Sequence, residues 1–172
     1  AMERKLLGWL EEIPEIPEGR IIFPPVQEGA AYMIPSSTTE GEYFVLEARY
    51  GEGWDAPLPK GLVIYHIDAS DRLVGTMPAS QLWDEWRVYD NLNASAEHPC
   101  AYIVPSSDRH SLNYTGSMDG LPFPGISGCV FLDVQDWEGV ETDCQISDIG
   151  ITEDGISALV FKGHGSVIAG KV

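Results

Sequence analysis

Two stretches decide how this chain folds: Glu42-Tyr43-Phe44-Val45-Leu46-Glu47-Ala48-Arg49 and Gly61-Leu62-Val63-Ile64-Tyr65-His66-Ile67-Asp68. In the first, Phe44, Leu46 and Ala48 alternate with Glu47 and Arg49, the period of two expected of a strand with one face in a core. The second is almost continuously apolar, which predicts a central strand covered on both faces. His66 and Asp68 are two residues apart on that strand, so both side chains leave the same face.

The same reading extends outward. Pro14, Pro17, Pro24 and Pro25 separate short extended pieces around Ile21-Ile22-Phe23 and Ala31-Tyr32-Met33-Ile34. Residues 100–104 and 129–132 read as further strands. Residues 149–152 and 156–161 form a hairpin around Glu153-Asp154-Gly155, because Asp-Gly readily takes the positive φ of a tight turn. Ahead of these, Met2-Glu3-Arg4-Lys5-Leu6-Leu7-Gly8-Trp9-Leu10 reads as a short amphipathic helix that ends before Pro14. Two long polar stretches, 77–93 and 106–127, interrupt the strands. The 18 Gly and 12 Pro favour many turns over long helices. The expected fold is mainly β: an antiparallel, sandwich-like arrangement with a short N-terminal helix and long loops, residues 1–172 forming a single β-rich region.

Composition narrows the partners. With 44% hydrophobic and 22% charged residues the chain has the make-up of a globular protein rather than a disordered one. Ten Lys and Arg against 27 Asp and Glu leave a formal charge of −17, a field that repels phosphate backbones and anionic lipid. Nucleic acid and membrane insertion are therefore not expected. Cys100, Cys129 and Cys144 form no Cys-x-x-Cys pair, so they do not read as a structural zinc site. One disulfide with a spare thiol and three reduced thiols both fit this count.

Motifs for self-contained catalysis are missing. His-Glu-x-x-His, which sets two imidazoles on one helix face beside a general base, does not occur, and neither does a Gly-x-Ser-x-Gly turn or a phosphate-binding glycine loop. His66, Asp68 and His98 are the candidate polar cluster. Asp68, Asn91 and Asn93 are the weak candidates for a metal, against the plainer reading of a hydrogen-bonded core histidine and asparagines in turns. The acidic run Asp133, Asp136, Glu138, Glu141 and Asp143 lacks EF-hand spacing; it leaves calcium open, with a solvated loop as the alternative. Trp83, Trp86 and Tyr89 form a candidate aromatic platform or, alternatively, anchor their segment in the core. Asn93-Ala94-Ser95 and Asn113-Tyr114-Thr115 are glycosylation sequons, which carry weight only in a host that glycosylates.

In order along the chain, Leu7-Gly8-Trp9-Leu10, the strand from Glu42 to Arg49, Gly53-Trp54-Asp55, Leu58-Pro59 and the strand from Gly61 to Asp68 resemble the segments that follow the zinc helix in the immune-inhibitor-A-like metallopeptidases (peptidase family M-six), secreted bacterial proteins. Asn93, His98, Tyr102-Ile103-Val104-Pro105, Phe123-Pro124-Gly125 and the closing hairpin are similar to later segments of that family. Ala48 stands where the family has Asn, Ser106-Ser107-Asp108 where Ala-Asp-Gly is common, and the region around Met118 to Pro122 is stretched.

The resemblance implies a non-catalytic C-terminal portion of a secreted or cell-surface zinc endopeptidase, inactive alone. It would serve as scaffold and as part of the cleft for a protein or peptide substrate. Zinc and the catalytic residues would belong to the upstream catalytic half, the expected partner. The reading from a different class is a stand-alone carbohydrate-binding or adhesive β-sandwich module using Trp83, Trp86 and Tyr89.

Overall fold

A computed structural model describes residues 12–163. Among them run β1 (Gly19–Phe23), β2 (Tyr32–Pro35), β3 (Glu42–Arg49), β4 (Gly61–Asp68), β5 (Leu73–Val74), β6 (Met77–Pro78), α1 (Ala79–Tyr89), β7 (Ala101–Ile103), β8 (Cys144–Thr152) and β9 (Gly155–Lys162). The strands make a four-stranded sheet in the order β2-β3-β4-β7, a three-stranded sheet in the order β1-β9-β8, and the β5-β6 ribbon. All these named strand pairings are antiparallel. The fold is mainly β and sandwich-like. The expected N-terminal helix lies outside the described residues.

β3 and β4 form the spine, paired from Glu42 opposite Asp68 to Arg49 opposite Gly61. Because side chains alternate, Phe44, Leu46 and Ala48 of β3 face inward together with Leu62 and Ile64 of β4. From the other sheet, Ile21 and Phe23 of β1, Ile146 and Ile149 of β8, and Ile156, Ala158 and Val160 of β9 meet them in one core. A second cluster, with Val45, Ile67, Ile13, Ala31 and Trp83, lies on the opposite face of the four-stranded sheet. β4 is thus covered on both sides, as its apolar run predicts.

Two glycines set where the spine begins and ends. Gly41, at φ +86°, makes the turn into Glu42; a Cβ there would lie 2.8 Å from the Ala69 carbonyl oxygen. Gly61 opens β4 at φ +142°, where a Cβ would lie 2.5 Å from the Phe123 carbonyl oxygen. That close approach lets Leu62 exchange both backbone hydrogen bonds with Phe123, at 2.9 and 2.8 Å.

Three expectations are adjusted. Residues 129–132 do not form a strand: they hold an isolated bridge, Leu132 to Ile146, because this piece caps the edge of β8 without continuing its ladder. The final hairpin starts earlier, at Cys144, since a register shift between Ser147 and Gly150, with Asp148 at φ +52°, breaks the alternation that would have revealed it. The turn itself is Glu153-Asp154, and Gly155 takes the positive φ of +129°. The 77–93 excursion contains α1. Among the described residues no helix is long and apolar enough to cross a membrane.

The core makes a direct prediction. Ile64 is fully buried at the centre of the sandwich and Ile22 is 53% exposed. Ile64→Ala should cost about 2–5 kcal/mol of unfolding free energy in urea, and Ile22→Ala about 0.5 kcal/mol or less.

Candidate functional site

The register that buries Phe44, Leu46, Leu62 and Ile64 also turns Glu42, His66 and Asp68 inward. Glu42 lies opposite Asp68, and Phe44 opposite His66, at one end of the sandwich. The side chains of Glu42 and Asp68 are 0% exposed and that of His66 is 2% exposed. Two carboxylates at this depth need charge and hydrogen-bond compensation.

Each receives it. Glu42 Oε1 accepts from His66 Nε2 at 2.8 Å and from the Trp137 backbone N–H at 2.7 Å. A carboxylate only accepts, so the Nε2 of His66 carries the proton, and its Nδ1, 2.9 Å from the Tyr102 hydroxyl, completes a Tyr102–His66–Glu42 chain. Asp68 Oδ2 takes His98 Nε2 at 2.7 Å, and Oδ1 takes the Ser70 N–H and hydroxyl at 2.9 and 2.6 Å. Arg72 bridges the pair, 3.6 Å from Asp68 and 3.5 Å from Glu42, and reaches Glu138 at 2.7 Å. Burial works against the Arg72 charge, but Glu138, Glu42 and Asp68 outweigh it and raise its pKa above the ordinary value. Burial, with the Glu42 charge adding to it, pushes the Tyr102 phenol up to about 12. The phenol therefore stays protonated as a donor and is a poor nucleophile or base at neutral pH.

Trp137 closes the cluster. Its ring stacks on His98 at 3.9 Å between centroids and on His66 at 5.4 Å, while Phe44 stacks on the other side of His66 at 4.3 Å. The neighbouring Asp136 positions it. Asp136 Oδ1 accepts from the Glu138 and Val140 N–H groups, and Oδ2 from the Ser36 and Thr38 hydroxyls at 2.7 and 2.6 Å. Burial alone would raise the Asp136 pKa; the hydrogen bonds from Thr38, Ser36, Val140 and Glu138 overcome it and hold the carboxyl below its ordinary value. Among the described residues, buried Trp137 Nε1 and Asn91 Oδ1 find no hydrogen-bond partner.

The predicted residues divide. His66, Asp68 and His98 come together, joined by Glu42, Arg72, Tyr102 and Trp137. Asn93 does not join them: its side-chain amide donates to the Ala101 carbonyl at 2.6 Å and accepts the Ala101 N–H at 3.0 Å, occupying the edge of β7. Asn91 sits in the turn after α1, its backbone carbonyl accepting from Ala94 at 3.1 Å. Among the described residues no three His, Cys, Asp or Glu side chains are grouped to hold a metal ion. In the cluster itself the Asp68 carboxylate oxygens are engaged by Ser70 and His98. The acidic run is also dispersed: Asp133 pairs with Arg109 at 2.7 Å, Glu138 with Arg72, and Asp136 with its four donors.

The aromatic trio does not form one surface. Trp83 is 8% exposed and donates from its indole to the Asp68 carbonyl at 2.7 Å, whereas Tyr89, two turns further along α1, is 65% exposed. The three cysteines are free thiols. Burial pushes Cys100 and Cys144 up to about 11, with Asp68 adding to the shift on Cys100, while Cys144 feels Lys162 lowering and Glu15 raising it.

A small cavity of about 160 Å³ adjoins the cluster, lined among others by His66, Tyr102, Arg109, His110, Asp133 and Trp137. Its cation, Arg109, is already engaged by Asp133 and by Cys129 Sγ at 3.0 Å. The arrangement is a compensated, interlocked polar core with its donors and acceptors turned toward one another. Comparison with family models, with curated proteins and with solved structures finds no match. What fold and site define together is a β-sandwich-like protein whose inner face carries a buried ionic lock.

Because the Asp136 pKa lies below its unfolded value, its contribution is fully present above the ordinary aspartate pKa and is lost as pH falls through the lowered folded value. Urea unfolding at a series of pH values should show this acid limb, and Asp136→Asn should flatten it. At neutral pH the same variant should cost about 1.5–3 kcal/mol, the worth of hydrogen bonds to a charged group.

Proposed function

We propose that this chain is the supporting β-sandwich portion of a zinc-dependent endopeptidase and performs no hydrolysis by itself. One observation carries the reading. The residues on which the family resemblance rests, Glu42 at the start of one motif strand, His66 and Asp68 at the end of the other, and His98 and Tyr102 beyond them, converge on one buried cluster. Motifs far apart in sequence thus serve one structural purpose, as expected when a family retains them to hold an architecture.

The chemistry of the cluster fits a scaffold better than a reaction centre. A hydrolytic site needs a nucleophile or a metal position open to substrate. Here the carboxylate oxygens are engaged by His66, Trp137, His98 and Ser70, and the phenol of Tyr102 is held protonated. Zinc, the attacking water and the residues that polarise the scissile carbonyl would come from the upstream half of the parent protein. In this reading the sandwich end near Trp137 braces that half and contributes to the wall of the substrate cleft. Secretion and a protein or peptide substrate follow from the same resemblance.

The test is an assay of casein or a quenched peptide library with the pure chain, and with the chain joined to the residues that precede it in its own reading frame. The chain alone should give no chelator-sensitive cleavage. The longer protein should cleave, and its added region should encode His-Glu-x-x-His. Chelator-sensitive cleavage by the isolated chain, or an upstream frame lacking zinc ligands, would overturn the assignment.

A further inference from the structure

The cavity of about 160 Å³ beside the cluster grades from buried to exposed. Phe44, His66 and Val104 are at most 2% exposed, whereas His110, Asp133 and Gln135 are open to solvent. It thus has an aromatic floor and a polar mouth. At about 30 Å³ for each water-sized atom it holds about five non-hydrogen atoms, which suits a side chain and not a whole drug-sized molecule.

The charges along its wall are already balanced. Arg109 pairs with Asp133 at 2.7 Å, and Asp136 is met by four donors. Glu42, behind His66, accepts from the imidazole and from the Trp137 backbone N–H. A carboxylate entering here would meet these three acids and one guanidinium that is already engaged. An ammonium would give up its water for acceptors that are already committed. Neither ion is favoured.

Two neutral groups of the wall remain. Trp137 Nε1 is a buried N–H to which no described residue offers an acceptor. Tyr102 directs its proton to His66 Nδ1, because His66 Nε2 carries the imidazole's own proton toward Glu42; the phenolic oxygen keeps lone pairs for another donor. A group that complements both is uncharged, accepts at one atom and donates at another. It is also flat enough to lie against the Tyr102 and Trp137 rings, whose centroids are 6.1 Å apart. A primary carboxamide has all of these properties.

We propose that the cavity is a recognition pocket for a glutamine side chain of a bound polypeptide, the carboxamide oxygen accepting from Trp137 Nε1–H and the NH2 group donating to the Tyr102 hydroxyl oxygen. The inference concerns what the cavity admits, so it stands whether or not the chain supports a peptidase.

NMR of the indole N–H groups in the full chain tests it, with propionamide as the free counterpart of the side chain and Trp137→Phe to identify the Trp137 signal. Propionamide should move that signal saturably. Propionate and propylammonium should bind weaker by about tenfold or more. N,N-dimethylpropionamide, which keeps the carbonyl and cannot donate, should bind weaker by about threefold or more, and Tyr102→Phe should weaken propionamide by a similar factor. A propionamide shift that does not saturate, as water alone in the cavity would give, overturns the proposal. So does an ion or the dimethylamide binding as well as propionamide. These arms use the unaltered chain and decide the matter even if Tyr102→Phe fails to fold.

Discussion

Two carboxylates, Glu42 and Asp68, face each other inside the open end of a β-sandwich with no solvent to stabilise them. Much of this end of the molecule is arranged around that constraint. Taking an ion out of water costs several kcal/mol, and the cost is met only where partners are close and well oriented. Arg72, His66, His98, Ser70 and the Trp137 N–H are those partners, drawn from β4, the loop after it, the loop before β7 and the loop before β8. One electrostatic requirement therefore ties four parts of the chain to the end of one sheet.

That tie explains why loops with little regular structure hold their positions. The segment from Asp136 to Val140 has no strand or helix, yet Asp136 binds it to Ser36 and Thr38, and Trp137 stacks on the two imidazoles. Directional bonds and ring stacking do here what apolar burial does at the middle of the sandwich. The arrangement also bears on function. A cluster whose acceptors are committed to internal donors is what the supporting role proposed for this chain would call for.

Much of the fold was legible in the sequence because it rests on local periodicity. The alternation of Phe44, Leu46 and Ala48, the apolar run ending at Asp68 and the two-residue spacing of His66 and Asp68 all survive in the structure. The same alternation already placed Glu42 on the inner face, two residues before Phe44; its polarity concealed a core position. Arg72 and Trp137 carried no such signal, since nothing in their local spacing marks them and only the tertiary fold brings them to His66. Residues 129–132 misled for the opposite reason: an apolar run is equally suited to capping a sheet edge and to extending it. Trp83 shows that an aromatic repeat on a helix does not distinguish a platform from an anchor; its indole N–H had a buried carbonyl to satisfy.

The central claim is that the carboxylate of Glu42 is a structural keystone. Its most direct test is the unfolding free energy of Glu42→Ala at neutral pH, measured by urea titration with Trp fluorescence. Removing this carboxylate takes an acceptor from the His66 Nε2–H and the Trp137 N–H and leaves the Arg72 charge short of one partner, so the account predicts a loss of about 3–5 kcal/mol, the cost of breaking a buried pair. A loss below about 1 kcal/mol would contradict it.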